Sequence, residues 1–306
     1  MTAPETITLA LWATNLGKPL NGIDGWIARI DAKMAEAKAA GADLLLMPEY
    51  ACEQWLSFKP NGLAETQEIA WMAEQAVDAI EHLKPLAETH DLALLAGTVA
   101  WKDETVTIGP PYRNRAFLFL PDGRVVHQDK LALTPHEQDP DSWDLKPGED
   151  IRIVEWKGMK VAPLVCLDVE MPALAVKLAP HEIDLLLVPS MTSMLSGYAR
   201  VFGCAKARAI ELMTSIAVCG VIGSAPGSTQ NPTNVSGCAV YTPCEAELGF
   251  TGIHAELPAV GTDDGDGPFL IARDVPIGAI RKLRSGAAEV WPGAWPGDHV
   301  TVSQAG

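Results

Sequence analysis

Short, unbroken apolar runs alternate along this chain with stretches of helical periodicity, and that alternation limits the fold more than any other feature. Ile7–Trp12 reads as a strand and Leu44–Met47 as a buried one. Between them Ile23, Ile27, Ile30, Met34 and Ala37 recur at helical spacing and stop at Gly41, a residue suited to a helix C-cap. Ile69, Ala73, Val77 and Ile80 mark a second amphipathic helix, expected to end near Pro85. Leu92–Thr98, Ala116–Leu120 and Val125–Gln128 follow as strands, the last two joined by the turn Pro121-Asp122-Gly123.

The second half repeats this grammar. Val161–Val165 and Leu185–Val188 read as strands around a short helix opening near Pro172. Val201, Ala205, Ala209 and Leu212 mark another helix, Ile216–Val221 another strand, and Ser236–Leu257 a strand pair around Thr242-Pro243. Strands covered by helices imply an α/β protein. The 306 residues are compatible with one large domain or two average ones; we read one, spanning 1–306, with its core at about 6–257. The tail 258–306, rich in Gly, Pro and Trp, is the least readable part, expected to wrap the body or reach a neighbouring subunit.

Composition narrows the functional classes. No apolar run approaches the ~18 residues a membrane helix needs. Met1–Glu5 lacks the basic segment of a signal peptide, so a cytoplasmic protein is expected. A net charge of −16 argues against nucleic acid or an anionic membrane as partner, since no excess of cations is available to replace phosphate counterions. Arg281, Lys282 and Arg284 form a small basic cluster, expected to be a solvated helix face. The six cysteines form no CxxC pair and have no histidine at zinc-finger spacing, so neither a disulfide framework nor a structural zinc is expected.

Three strands deliver ionisable groups to what should be one rim. Leu44–Pro48 leads to Glu49, Val125–Asp129 to Lys130 and Val161–Val165 to Cys166; Leu185–Pro189 leads to Ser190 in the same way. Ligands in α/β sheets gather at the carboxyl ends of strands. Taken singly, Glu49 would be a solvated residue or an N-cap neighbour, Lys130 a surface partner of Asp129, and Cys166 an inert buried thiol. Together they fit one chemistry. A thiol needs a base or a nearby cation to become a nucleophile. A glutamate can take that proton and return one to a leaving amine, while a lysine can stabilise the thiolate and the oxyanion. The Leu167 N–H is a candidate second oxyanion donor if a helix starts there.

Leu46-Met47-Pro48-Glu49-Tyr50, Asp129-Lys130-Leu131 and Cys166-Leu167-Asp168-Val169-Glu170-Met171-Pro172 resemble, in order and spacing, the three signatures of the nitrilase superfamily, the carbon–nitrogen hydrolases. Asn114–Gly123, Leu133–Glu137, Asp184–Ser190 and Ala205–Glu211 extend the resemblance over about residues 6–257. It implies a four-layer αββα sandwich, usually dimerised through helices flanking the site, and a thioester acyl-enzyme with no metal or organic cofactor. It implies for Glu137 the role of a supporting glutamate that positions substrate or Lys130. The chain departs from the pattern at Leu167, usually aromatic, at Ala173, often acidic, at Arg113, where Tyr commonly precedes the Asn, and at Leu212-Met213, often Asn-Gln.

Other arrangements are weaker. There is no GxSxG elbow, HExxH helix or phosphate-binding glycine loop. A Cys–His pair would have to use His127, expected to face outward, or His136, in a loop. Tyr50, Trp55, Phe58, Trp143 and Tyr198 could shape a pocket or simply pack, and Tyr198 is the best candidate for touching substrate. The leading reading is an amidase acting on a small amide. The alternatives are nitrile hydrolysis or acyl transfer by the same triad, and a catalytically silent binding or scaffold protein, against which the intact triad counts. Leu167-Asp168, rather than Trp-Glu, places the chain nearer the amidase branches.

Overall fold

The structure is a computed structural model, and it describes residues 2–228 and 232–304. Two six-stranded sheets lie face to face. The first contains β1 (Ile7–Trp12), β2 (Leu44–Leu46), β3 (Ala93–Lys102), β4 (Tyr112–Phe119), β5 (Val125–Asp129) and β12 (Phe269–Val275), in the order β12-β1-β2-β3-β4-β5. The second contains β6 (Val154–Trp156), β7 (Met159–Pro163), β8 (Leu185–Ser190), β9 (Ser215–Gly220), β10 (Ser236–Tyr241) and β11 (Ile253–Val260), in the order β11-β10-β9-β8-β7-β6. Parallel pairing joins β1, β2 and β3 in one sheet and β7, β8 and β9 in the other.

Why the strands read as continuous apolar runs is now plain. Leu44 and Leu46 face the second sheet, against Val161, Leu185, Leu187 and Val240, while Leu45 faces outward. That outer face carries α1 (Ile23–Ala39) and α2 (Glu68–His90), whose Ile30, Met34, Met72 and Leu83 are buried there. Leu186, Val188 and Val218 of the second sheet likewise face α4 (Pro172–Leu178) and α5 (Leu195–Glu211). The central strands are therefore apolar on both sides, and the four layers are helix, sheet, sheet, helix. All six cysteines are free thiols. Among the described residues no helix is long and apolar enough to cross a membrane.

Three expectations need correction. The second helix runs through Pro85 to His90. Pro85 sits on the solvent side, so the Glu81 carbonyl that loses its N–H partner can be hydrated instead. The core does not stop at Leu257. The tail forms β12, antiparallel to β1, and then α6 (Ile277–Lys282), burying Ala272, Val275, Ile277, Ile280 and Leu283. Its last two residues, Ala305 and Gly306, lie outside the described residues, as does Met1. The basic cluster is no solvated face either. Arg281 and Arg284 both pair with the buried Asp184 at the entrance to β8, at 2.6 and 2.7 Å, and Arg284 also donates to the Ile183 carbonyl.

Asp184 thus ties the C-terminal helix to the second sheet. Its loss leaves the Arg284 guanidinium, only 6% exposed, without its anion. Asp184→Ala should lower stability by about 3 kcal/mol or more, read as the shift in the urea unfolding midpoint; an unchanged midpoint would show the clamp to be idle.

Candidate active site

The candidate site forms where strands of both sheets end. β2 runs through Met47 and Pro48 into Glu49, and the chain turns at Tyr50 in the left-handed region, φ 50°. β3 must pass close to this corner. A Cβ on Gly97 would lie 2.0 Å from the Pro48 carbonyl oxygen, so only glycine fits. The Tyr50 N–H donates to Thr98 Oγ1 at 3.0 Å, which fixes the corner. β5 ends at Asp129 and presents Lys130. Gly148 packs against this end, where a Cβ would meet Asp129 at 2.8 Å.

β7 ends two residues before Val165, and Cys166 opens a short 3-10 helix, Cys166–Glu170, with its own φ at 48°. A non-glycine residue held there carries roughly 1–2 kcal/mol of strain. Asp168 holds it. Its buried carboxylate accepts from Val165 N at 3.0 Å, Leu131 N at 3.0 Å and Ala132 N at 2.7 Å. One side chain therefore fastens the cysteine turn to the segment that follows Lys130.

At the centre lies a buried ammonium between two carboxylates. Lys130 Nζ donates to Glu49 Oε1 and to Glu137 Oε2, both at 2.8 Å, and all three side chains are 3% exposed or less. Asn114, at the start of β4, donates to the same two carboxylates, at 2.8 Å to Glu49 and 2.9 Å to Glu137. Glu137 belongs to a one-turn helix, α3 (Pro135–Gln138), and not to a plain loop. Thr134 caps that turn, and the Glu137 carboxylate takes the Thr134 N–H at 2.8 Å. The Cys166 thiol accepts from the Ser190 hydroxyl at 3.4 Å, donates to the Met191 carbonyl at 3.5 Å, and lies within hydrogen-bonding reach of Glu49.

Burial raises the pKa of Glu49, against the pull of Lys130. Burial acts upward on Glu137 as well, but Lys130, Thr134 and Asn114 outweigh it and leave that carboxyl below its ordinary value. Burial would lower Lys130, and the two carboxylates more than reverse this. The Cys166 thiol is raised, first by burial and then by Glu49. An unassisted thiolate is therefore scarce, and the proton must leave to a neighbour.

These groups share one cavity of about 280 Å³, walled by Glu49, Tyr50, Lys130, Thr134, His136, Glu137, Trp143, Cys166, Met191 and Ser193. The structure places the four candidates Glu49, Lys130, Cys166 and Glu137 in this one cavity. Of the expected aromatics, Tyr50 and Trp143 line the cavity in an edge contact at 4.8 Å. Trp55 packs on Trp26 and Phe58 on Trp71. Tyr198 lies tilted against Phe202 of its own helix, ring centroids 4.1 Å apart, and is not among the cavity walls. Helical spacing explains this, because Tyr198 and Phe202 are one turn apart on the face packed against the second sheet. Leu167 is not a wall residue either, so only its backbone could serve the site. Asn114, Asp168 and Thr134 were missed as site residues. The Thr134-Pro135-His136-Glu137 capping pattern is a readable signal; Asn114 and Asp168 lie inside segments that carry the resemblance, but nothing in their spacing shows what they bond.

One buried carboxyl lies beside the site without joining it. Glu53 is fully buried, and neither of its oxygens has a hydrogen-bond partner among the described residues. Burial, with Glu68 and Glu49 nearby, pushes it from 4.5 to about 8. The folded protein then keeps a proton that the unfolded chain releases above 4.5. Stability should fall as pH rises through that window and level off above 8. Glu53→Gln removes the ionisation, so between pH 5 and pH 8 the variant should gain on the parent by up to about 3.5 kcal/mol. Urea denaturation at both pH values reads this, and parallel pH dependences would refute it.

The sequence profile of the carbon–nitrogen hydrolase family matches residues 17–232. A probable hydrolase of Bacillus subtilis, YhcX, is 24% identical over 280 residues, 90% of this chain and 52% of its own length. The omega-amidase YafV of Escherichia coli is 27% identical over 60% of this chain and 64% of its own. A (R)-stereoselective amidase of a Pseudomonas species is 28% identical over 58% and 54%. The matches thus span about half to two thirds of these relatives. Among solved structures, an amidase from Nesterenkonia superposes with a TM-score of 0.65 at 24% identity, covering 94% of this chain and 97% of that one, which establishes a shared fold. A variant of that amidase carries the acetamide moiety of fluoroacetamide on its active-site cysteine, and it superposes with a TM-score of 0.66 at 23% identity.

Proposed function

The chain belongs to the carbon–nitrogen hydrolase family, and from that premise we propose that it is an amidase that opens small amides through a thioester on Cys166. The observation that carries the reading is the Lys130 ammonium clamped between Glu49 and Glu137 beside the thiol. The amidase relatives, and the cysteine adduct in the Nesterenkonia amidase, support the same chemistry.

Glu49 takes the thiol proton as sulfur attacks the amide carbonyl. The oxyanion is met by Lys130 and by the Leu167 N–H, one of the first donors of a helix that has no intrahelical acceptor for them. As the adduct collapses the carbon–nitrogen bond breaks, and Glu49 returns its proton to nitrogen, releasing ammonia or an amine. Glu49 then takes a proton from water, which attacks the thioester; the acid leaves and the thiol is restored. Glu137 and Asn114 keep Lys130 and Glu49 in place throughout. A nitrile would need a linear approach to the same thiol and two protonations of its own nitrogen, so it would depend more on the shape of the pocket.

Cys166→Ala should abolish ammonia release with folding intact, and Glu49→Gln and Lys130→Ala should each lower kcat/KM by about 10² or more. Near-parental rates in any of the three would remove that residue from the mechanism. The acid limb of kcat/KM should lie above the ordinary carboxylate range. Protonating Glu49 removes the base, and burial raises its pKa. A pH–rate profile with no fall until well below 4.5 would contradict that role.

We also infer a homodimer. Val176 of α4, Ile210 of α5, and Val290 and Trp295 of the tail are exposed around one apolar groove that reaches Trp291, an apolar face suited to an interface. Light scattering should give twice the monomer mass, and Ile210→Asp should lower it; a parental protein that stays monomeric at micromolar concentration refutes the dimer.

A further inference from the structure

We propose that Ser190 is a further catalytic residue of this site, whose buried hydroxyl donates to the Cys166 sulfur and stabilises the thiolate both when it forms and when it leaves the thioester. The second half of this role deepens the amidase reading and rests on it; the first concerns the thiol alone.

Strand register brings the two side chains together. β7 and β8 run parallel, with Val161 beside Leu185, Ala162 beside Leu186 and Pro163 beside Leu187. The Leu164 N–H donates to the Leu187 carbonyl and carries the pairing past the end of β7. The same offset of 24 residues sets Cys166 against Ser190. Ser190 closes β8, where it pairs with Gly220 of β9, and its carbonyl accepts from the Val221 N–H at 3.3 Å. The serine is thus fixed by the strand on either side and is fully buried.

Every residue before it in β8, from Leu185 to Pro189, is apolar, so a hydroxyl here breaks the pattern. A buried hydroxyl needs a partner, and this one donates to Sγ at 3.4 Å. Alanine would fill the place with no polar group to satisfy. The thiol's own proton points elsewhere, to the Met191 carbonyl at 3.5 Å. Once that proton has passed to Glu49, the carbonyl has nothing to accept and turns its lone pairs on an anion. The Ser190 O–H stays on the sulfur, and its hydrogen bond strengthens because the acceptor is now charged. Burial and Glu49 push the thiol up, while Lys130 and this hydroxyl act against them.

Ser190 also removes a competition for Lys130. An ammonium has three N–H donors, and two of them go to Glu49 and Glu137. The third cannot serve sulfur and oxyanion at once. With a hydroxyl on the sulfur, Lys130 is left for the oxygen. In acylation a sulfur electron pair forms the carbon–sulfur bond, the carbonyl π pair moves to oxygen, and the thiol proton goes to Glu49. In deacylation water adds to the thioester carbon and gives a proton to Glu49. The carbon–sulfur bond then breaks with its electron pair returning to sulfur. Ser190 meets that anion until Glu49 hands the proton back, and its own hydroxyl keeps its proton throughout.

Ser190 is not among the walls of the cavity, so its hydroxyl can be removed without reshaping the space for substrate. Iodoacetamide on the folded protein near neutral pH, followed by peptide mass analysis, reads labelling of Cys166 relative to the exposed Cys244. Ser190→Ala should lower that ratio about 10-fold, whereas Ser190→Thr, which keeps the hydroxyl, should stay within about threefold of the parent. With butyramide as substrate, Ser190→Ala should lower kcat about 10-fold and leave KM within about twofold. Parental labelling in the alanine variant overturns the proposal. A threonine variant as slow as alanine does so too, since the loss would follow packing and not the hydroxyl, and so does a raised KM at unchanged kcat. If the parent turns over no amide while the labelling ratios fall as expected, the role on the thiol stands and the amidase reading falls.

Discussion

Everything at the functional end of this molecule depends on one ammonium being buried between two carboxylates. Removing three charges from water is costly, and mutual attraction offsets that cost only when the remaining donors and acceptors are also satisfied. Here they come from separate parts of the chain. Glu49 follows β2, Lys130 follows β5, Glu137 sits in a capped turn, and Asn114 reaches both carboxylates from β4. No local segment could assemble this cluster. The sandwich is needed to bring three strands and a helical turn to one point, and the cluster fixes how those parts meet.

That demand explains the unusual backbone around it. Tyr50 and Cys166, each next to or at a reactive position, both adopt left-handed φ values that non-glycine residues rarely hold. The glycines fall where the opposite problem arises. Gly97 and Gly148 let β3 and the segment after Trp143 approach the Glu49 and Lys130 corners more closely than any side chain would allow. Strain at the two corners is balanced by specific bonds, from Tyr50 N–H to Thr98 and from three backbone N–H groups to Asp168.

The parts of this arrangement that local pattern encodes were legible in the sequence. Runs such as Leu44-Leu45-Leu46 are apolar on both faces because both faces are covered, and the residues after them are polar because the layers end there. The tail was not legible, since β12 carries a mixed pattern, Phe269-Leu270-Ile271-Ala272-Arg273-Asp274-Val275, whose partner is β1 at the other end of the chain. Arg281 and Arg284 looked like solvent-facing charge for the same reason: Asp184 is about a hundred residues away. Tyr198 was drawn toward the site by its position after Ser190, but helix geometry turns it onto Phe202 instead. Asp168 sits inside a recognisable signature, yet what it does depends on Leu131 and Ala132, which sequence spacing cannot place beside it.

The two carboxylates that share Lys130 are not equivalent. Glu137 accepts from Lys130 and Thr134 on one oxygen and from Asn114 on the other, so both its oxygens are occupied and its charge is held. Glu49 receives Lys130 and Asn114 on the same oxygen, Oε1. The environment accordingly moves the two pKa values apart, Glu137 down and Glu49 up. A carboxyl raised above its usual range is the better proton carrier near neutrality, and one held below it is the better fixed anion. Burial acts upward on both carboxyls, and the donors gathered on Glu137 reverse it there while those on Glu49 do not.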